Sequence, residues 1–201
     1  MTNVLQHYLN EHTLNQTMEL FWRKGYLAVS ISEIVEITGL HRAAIYNYFG
    51  GKESLYIAML KRYLNQVTVD LLAPLTSSDH PLEAIKNFFC QFLSTHKWPL
   101  INQYGCMMIT EASQLPFESL ELKSLINQFF DELHQSFLSV LKQAQHQGLC
   151  SKHCHPQQSA SFFVANTVGL LTLIRINTQQ QWLSHQIMQI NYYLDQITKE
   201  S

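Results

Sequence analysis

A chain of 201 residues with 46% hydrophobic and 14% charged side chains can bury a sizeable core, enough for one large domain or two small ones. The first sixteen residues lack the basic-then-apolar order of a secretion signal, and no run nears the ~18 apolar residues of a membrane span, so a cytoplasmic protein with no membrane partner is expected. The net charge of −2 excludes a general attraction to polyanions, and four scattered cysteines (Cys90, Cys106, Cys150, Cys154) exclude a disulfide framework and predict free thiols.

Apolar residues recur at helical spacing almost throughout, which predicts an all-α fold of about nine helices. Leu14, Met18 and Phe21 share one face of a first helix that should stop at Lys24-Gly25. Ser30 and Glu33 form an S-x-x-E capping box opening a second helix with Ile34, Val35 and Ile37, which Thr38-Gly39-Leu40 breaks. A third short helix over 41–49 turns Ile45 and Phe49 inward and ends at Gly50-Gly51. Lys52 starts a longer fourth helix, expected to end before Pro74 because proline cannot continue the backbone ladder.

Pro81 opens a helix bearing Leu82, Ile85, Phe89 and Phe92 that should run to about Trp98-Pro99, and a single short helix is expected over 104–114. The longest helix carries Leu122, Leu125, Phe129, Leu133, Phe137, Val140 and Ala144 before Gly148. After Pro156 the stretch 162–174 is apolar nearly all round, and Leu183, Ile187, Ile190, Leu194 and Ile197 stripe a final helix. These last two helices predict a four-helix interface in a homodimer, with completion of an intramolecular core as the alternative.

Charge is distributed unevenly. Residues 40–62 hold four basic side chains (Arg42, Lys52, Lys61, Arg62) against Glu53 alone, whereas residues 66–201 hold seven basic and ten acidic, so a polyanion should meet the N-terminal end. Three short helices there, with a glycine-containing break between the second and third, match a helix-turn-helix, whose second member enters the major groove. Tyr46 and Tyr48 offer hydroxyls to phosphates, and Lys52 adds charge at a helix start.

The run from Ser30 to Leu55, with Leu14, Leu20-Phe21 and Gly25-Tyr26 before it, resembles the TetR family of transcriptional regulators over residues 8–65. The resemblance implies a DNA-binding domain over 8–65 and an effector-binding and dimerisation domain over 66–201. It implies double-stranded DNA as partner, a palindromic operator, and repression released by a small molecule or an electrophile. It turns His41, Arg42, Ala44 and Asn47 toward the groove, with Arg42 for guanine and Asn47 for phosphate or adenine. Ala43 and Ala44 then pack on thymine methyls, and Ser30 completes the expected DNA-binding set. His41 stands where the family usually has a capping serine or threonine, and imidazole is a poorer cap.

In the sensing half, Trp98, Tyr104, Met107 and Phe163, with Phe88, Met108 and Phe117, are candidate cavity walls or ordinary core. Gly105-Cys106 resembles the Gly-Cys of family members that respond to electrophiles. A thiol in a first helical turn feels the positive end of the dipole, which favours thiolate, with a buried inert cysteine as the alternative. Arg175, a lone charge ending an apolar helix, either lowers that thiol's pKa, pairs with an acidic effector, or reaches solvent. The donors in Cys150-Ser151-Lys152-His153-Cys154-His155 crowd one loop at irregular spacing, so neither metal nor other cofactor is expected. No G-x-S-x-G, phosphate loop or H-E-x-x-H is present, which speaks against an enzyme; a TetR-like protein binding many chromosomal sites is the remaining alternative.

Overall fold

Asn10 accepts a hydrogen bond from the Thr13 backbone N–H at 2.8 Å and opens α1 (Glu11–Lys24) in the computed structural model, which describes residues 10–76, 79–93, 99–114 and 119–199. Gly25 ends α1 with its N–H on the Phe21 carbonyl. The Ser30 hydroxyl caps α2 (Ile31–Thr38) by accepting from the Glu33 N–H at 3.1 Å, while the Glu33 carboxylate faces the Ser30 N–H and pairs with Lys24. The α2 start is bolted to the end of α1 in this way. Gly39, at φ +68°, then turns the chain, a left-handed conformation that glycine adopts without Cβ strain.

The third helix, α3, begins as Arg42–Ala44 and continues through Ile45–Phe49 in the wider π register. Its first residue follows His41, whose side chain makes no capping hydrogen bond. Helix α4 runs as Lys52–Tyr63, loosens through a π turn at Leu64–Thr68, and resumes as Val69–Thr76. The expected stop before Pro74 does not occur. Proline costs about 3 kcal/mol in a helix interior, but burial of Leu75 just beyond it returns about 1.5–3 kcal/mol, with Leu71 and Leu72 buried alongside.

Five of the remaining elements are α5 (Pro81–Cys90, tightening through Gln91–Leu93), α6 (Pro99–Tyr104), α7 (Met107–Gln114), α8 (Leu120–His146) and α9 (Pro156–Arg175); α10 (Gln180–Ile197) is the last. The all-α expectation holds, with one isolated antiparallel bridge, Cys150 to Thr198, among the described residues. The short helix expected over 104–114 is α7, and α6, not expected, precedes it across a Gly105-Cys106 corner. Gly105 sits at φ +67°, and a Cβ there would lie 2.5 Å from the Leu171 carbonyl oxygen. Only a residue without a side chain lets α9 pass so close.

Helix α8 packs against α9, α5 and α4, and the centre is aromatic: Phe137 lies 5.1 Å from Phe88 and 5.4 Å from Phe163 between ring centroids. Phe88 and Phe163, candidate cavity walls from sequence, are fully buried members of this cluster. The α10 stripe Leu183, Ile187, Ile190, Leu194 and Ile197 is likewise buried within the chain. The opposite face of α10 exposes Trp182, Met188 and Tyr192, each about 60% accessible. Among the described residues no helix is long and apolar enough to cross a membrane.

Candidate DNA interface and its link to a buried cavity

Ile34, Leu40, Ala44 and Ile45 are completely buried and fix α2 and α3 against α1 and α4. That packing leaves His41, Arg42, Ala43, Tyr46, Asn47 and Tyr48 exposed together. Tyr46 and Tyr48 are 50% and 43% accessible, too open to be core aromatics. Ala44 is a correction: with no accessible surface its methyl belongs to the core and has no reach toward thymine. Ala43, one position earlier, is exposed. Arg42 Nη2 donates to the Ser32 hydroxyl at 2.9 Å, bracing the guanidinium along the α2–α3 edge. Ser30 is exposed beside this face, its oxygen engaged by the Glu33 N–H.

Lys52 starts α4 with Nζ 4.3 Å above the Tyr26 ring, and partial burial lowers its pKa from the ordinary value. Two of the four cations counted toward this end are engaged elsewhere. Lys61 pairs with Glu121 at 2.7 Å, and Arg62 pairs with Glu11 and donates to Asn15 at 2.9 Å. The cationic wedge therefore narrows to Arg42 and Lys52.

Behind this face, three side chains reach α6 and α7. Trp22 Nε1 of α1 donates to the Gly105 carbonyl at 2.9 Å, and the Tyr63 hydroxyl of α4 donates to Cys106 Sγ at 3.3 Å. The Trp22 and Tyr63 rings meet edge to face at 4.8 Å. The Tyr56 hydroxyl donates to Glu111 Oε2, whereas Glu111 Oε1 is buried with no partner among the described residues. Burial raises the Glu111 carboxyl from its ordinary pKa, partly opposed by the Tyr56 bond. Sequence reasoning singles out none of Trp22, Tyr56, Tyr63 and Glu111. Tyr56 and Tyr63 are seven residues apart on one helix face, a visible signal, but their partners lie 55 and 43 residues away.

Cys106 caps the start of α7, and the Met108 and Ile109 N–H groups turn toward its sulfur as the dipole argument expects. Desolvation outweighs them: Cys106 is 1% accessible and its pKa is raised from the usual thiol value. Of the two readings of this thiol, burial favours the inert one.

The same thiol lines a cavity of about 260 Å³ with Ile109, Ala112, Phe130, Leu171 and Arg175. Arg175 Nη1 donates to the Tyr104 carbonyl at 2.9 Å, so Tyr104 contributes its backbone to the cavity's edge. Met107 is buried in the core and is not on this wall, nor is Phe163; Trp98 and Phe117 lie outside the described residues. In the loop after α8, Cys154 is buried and Cys150 half-buried, its thiol pushed up to about 12 by burial and by Cys154 beside it. Among the described residues no three metal-binding side chains gather at one point.

Comparison with known proteins addresses this head and body directly. The family profile described as "Bacterial regulatory proteins, tetR family" matches residues 14–59. The chain is 28% identical over 152 residues to the HTH-type transcriptional repressor ComR of Escherichia coli K12, covering 74% of this chain and 71% of ComR. A TetR regulator from Chloroflexus aurantiacus superposes with a TM-score of 0.83 at 22% identity, covering 99% of this chain and all of that one. A cysteine variant of the TetR-family regulator CifR, solved with 26-base-pair operator DNA, superposes at 0.77 with 17% identity over 94% of this chain and 96% of its own.

A helix-turn-helix head on an all-helical body is what the chain shares with these DNA-binding transcriptional regulators. Residues 14–59 match the TetR family model, and the chain is similar over most of its length to regulators of that family.

Proposed function

We propose that the protein is a ligand-responsive repressor that holds a palindromic operator as a homodimer and lets go when a small molecule fills the cavity beneath Cys106. The observation carrying this reading is the pair of buried bonds, Trp22 to Gly105 and Tyr63 to Cys106, which run from the DNA-binding head to the cavity's edge. Residues 8–65 are the DNA-binding unit and 66–201 the sensing and dimerising unit. The boundary falls within the Leu64–Thr68 π turn, a register change frequent at functional sites. On the DNA side Tyr46, Tyr48 and Lys52 hold phosphates and orient α3, while His41, Arg42, Ala43 and Asn47 face base edges.

The dimer face consists of the outward side of α10, with Trp182, Met188 and Tyr192, and the small residues Ser161, Ala165 and Gly169 spaced one turn apart along α9. Exposed aromatics over a small-residue groove suit two helices crossing their own copies. Recognition helices then meet half-sites about one turn (~34 Å) apart. Of the two triggers, reversible binding is favoured over electrophile attack, because the Cys106 thiol is buried and its pKa raised. Repression accords with the name of ComR. A cytoplasmic location follows from the DNA partner.

The test is fluorescence anisotropy with duplexes from the protein's own upstream region at low salt, alongside sedimentation. A two-fold-symmetric duplex bound by two chains is expected. Monomeric protein, or equal affinity for every sequence, overturns the reading.

A further inference from the structure

The polar groups around the Cys106 cavity discriminate between ligand chemistries. The Thr110 hydroxyl donates to the Cys106 carbonyl, Ser113 to the Thr110 carbonyl and Thr172 to the Val168 carbonyl, at 3.0, 2.7 and 2.8 Å. Each proton is committed to the helix backbone, so these hydroxyls present only lone pairs to an occupant. Arg175 is the one charged side chain among the described residues of the wall, and none of the described carboxylates lies within ion-pair distance of it. Its Nη1 serves the Tyr104 carbonyl, and a guanidinium has five N–H donors, more than that bond uses.

We infer that the cavity takes a small, mostly apolar monocarboxylate whose carboxylate docks on Arg175, an inference that rests on the effector reading proposed for this cavity. A half-buried guanidinium with no carboxylate in ion-pair distance among the described residues attracts an anion and repels an amine. The remaining wall is apolar through Ile109, Ala112, Phe130 and Leu171, which favours a hydrocarbon tail or aromatic ring. A volume of about 260 Å³ lies just below the ~300–1,000 Å³ of drug-sized sites and sets a small size. A polyanion such as phosphate needs donors that the three hydroxyls do not supply. A hydroxyl on the ligand is accommodated, because lone pairs await it.

Docking also has a consequence for the head. A carboxylate on Arg175 pulls on the same guanidinium that holds the Tyr104 carbonyl, and the next residue, Gly105, holds Trp22 of α1. A ligand acting through this corner prefers one arrangement of it over the other, which a population shift requires.

The experiment is calorimetric titration of the full-length protein with benzoate and hexanoate, then with benzamide, hexanamide, hexylammonium and inorganic phosphate. Operator release is read in parallel by anisotropy. Carboxylates are expected to bind at least about tenfold more tightly than their amides, with the ammonium and phosphate weaker still. Arg175→Met should bring carboxylate and amide to equal affinity, and Arg175→Lys should restore part of the preference. Carboxylate binding no better than amide binding in the wild type overturns the inference and needs no variant to fold. Carboxylates that bind in an Arg175-dependent way without releasing operator overturn the effector reading and leave the ligand class standing. Release driven equally by the amides does the reverse.

Discussion

The Trp22 indole N–H and the Gly105 carbonyl, 83 residues apart in the chain, meet at 2.9 Å in a buried hydrogen bond between α1 and the α6–α7 corner. Trp22→Phe keeps an aromatic ring against Tyr63 but leaves the Gly105 carbonyl without a donor. The expected cost is about 1–3 kcal/mol, which for a chain of this size lowers Tm by roughly 2–4 °C per kcal/mol. Gly105→Ala should cost more, because it adds a strained left-handed backbone to a Cβ placed 2.5 Å from the Leu171 oxygen. Thermal unfolding of both variants ranks them, and a Trp22→Phe variant as stable as wild type removes the bond from the account.

Phosphate contacts leave a mark on salt dependence. Lys52→Ala should lower the slope of log affinity against log salt by about 0.9 per subunit and weaken binding to all duplexes alike. Tyr46→Phe should weaken binding without changing the slope, since no charge is lost. Lys61→Ala is the contrast: Lys61 already pairs with Glu121, so the slope should stay near that of wild type. Anisotropy titrations across a series of salt concentrations separate the three. A Lys61 effect equal to that of Lys52 contradicts the narrowing of the cationic face to Arg42 and Lys52.

The head is legible in the sequence because its signals are local. Ser30 and Glu33 cap α2, Gly39 supplies the left-handed turn, and Tyr46 and Tyr48 lie outward, all within a window of a few turns. Ala44 misleads because an alanine reads the same on either face of a short helix. The change to π register at Ile45 has no signature in residue type. In the C-terminal half Cys106 and Arg175 are visible one by one, yet they share one cavity only because α7 and α9 cross at Gly105, a fact of tertiary packing. Phe163 shows the limit: core and cavity wall require the same apolar residues, and only the Phe88 and Phe137 rings around it decide.

Thiol accessibility separates a buried cap from a sensor. Cys90 is exposed, whereas Cys106 is buried beneath the Tyr63 hydroxyl with its pKa raised. In the native protein a disulfide reagent should modify Cys90 promptly and Cys106 only on unfolding, because the thiolate is the attacking species and burial disfavours it. Mass spectrometry of a labelling time course assigns each site. Cys106 reacting as fast as Cys90 restores the electrophile trigger, and operator release by alkylating agents in wild type but not in Cys106→Ser would confirm that outcome.

Glu111 makes the stability of the protein depend on pH. Burial raises its folded carboxyl above the ordinary 4.5, outweighing the opposing Tyr56 bond, so the neutral acid is the form the fold prefers. A raised acid contributes stability that is present in full below about pH 4.5 and lost as pH rises through the folded value. Glu111→Gln is neutral at every pH and lacks this slope. The stability of wild type relative to Glu111→Gln should therefore fall from pH 4.5 toward neutrality and then level off. The total fall is about 1.4 kcal/mol for each pH unit that separates the folded carboxyl from the unfolded one. Tyr56→Phe removes the hydroxyl that favours the carboxylate, so the folded value rises and the levelling-off moves to higher pH. Urea unfolding of the three proteins at pH values from 4.5 upward to about 7.5 reads the difference. Wild-type and Glu111→Gln curves that run parallel across that range mean the carboxyl is solvated and the Tyr56 contact is not a buried link between α4 and α7.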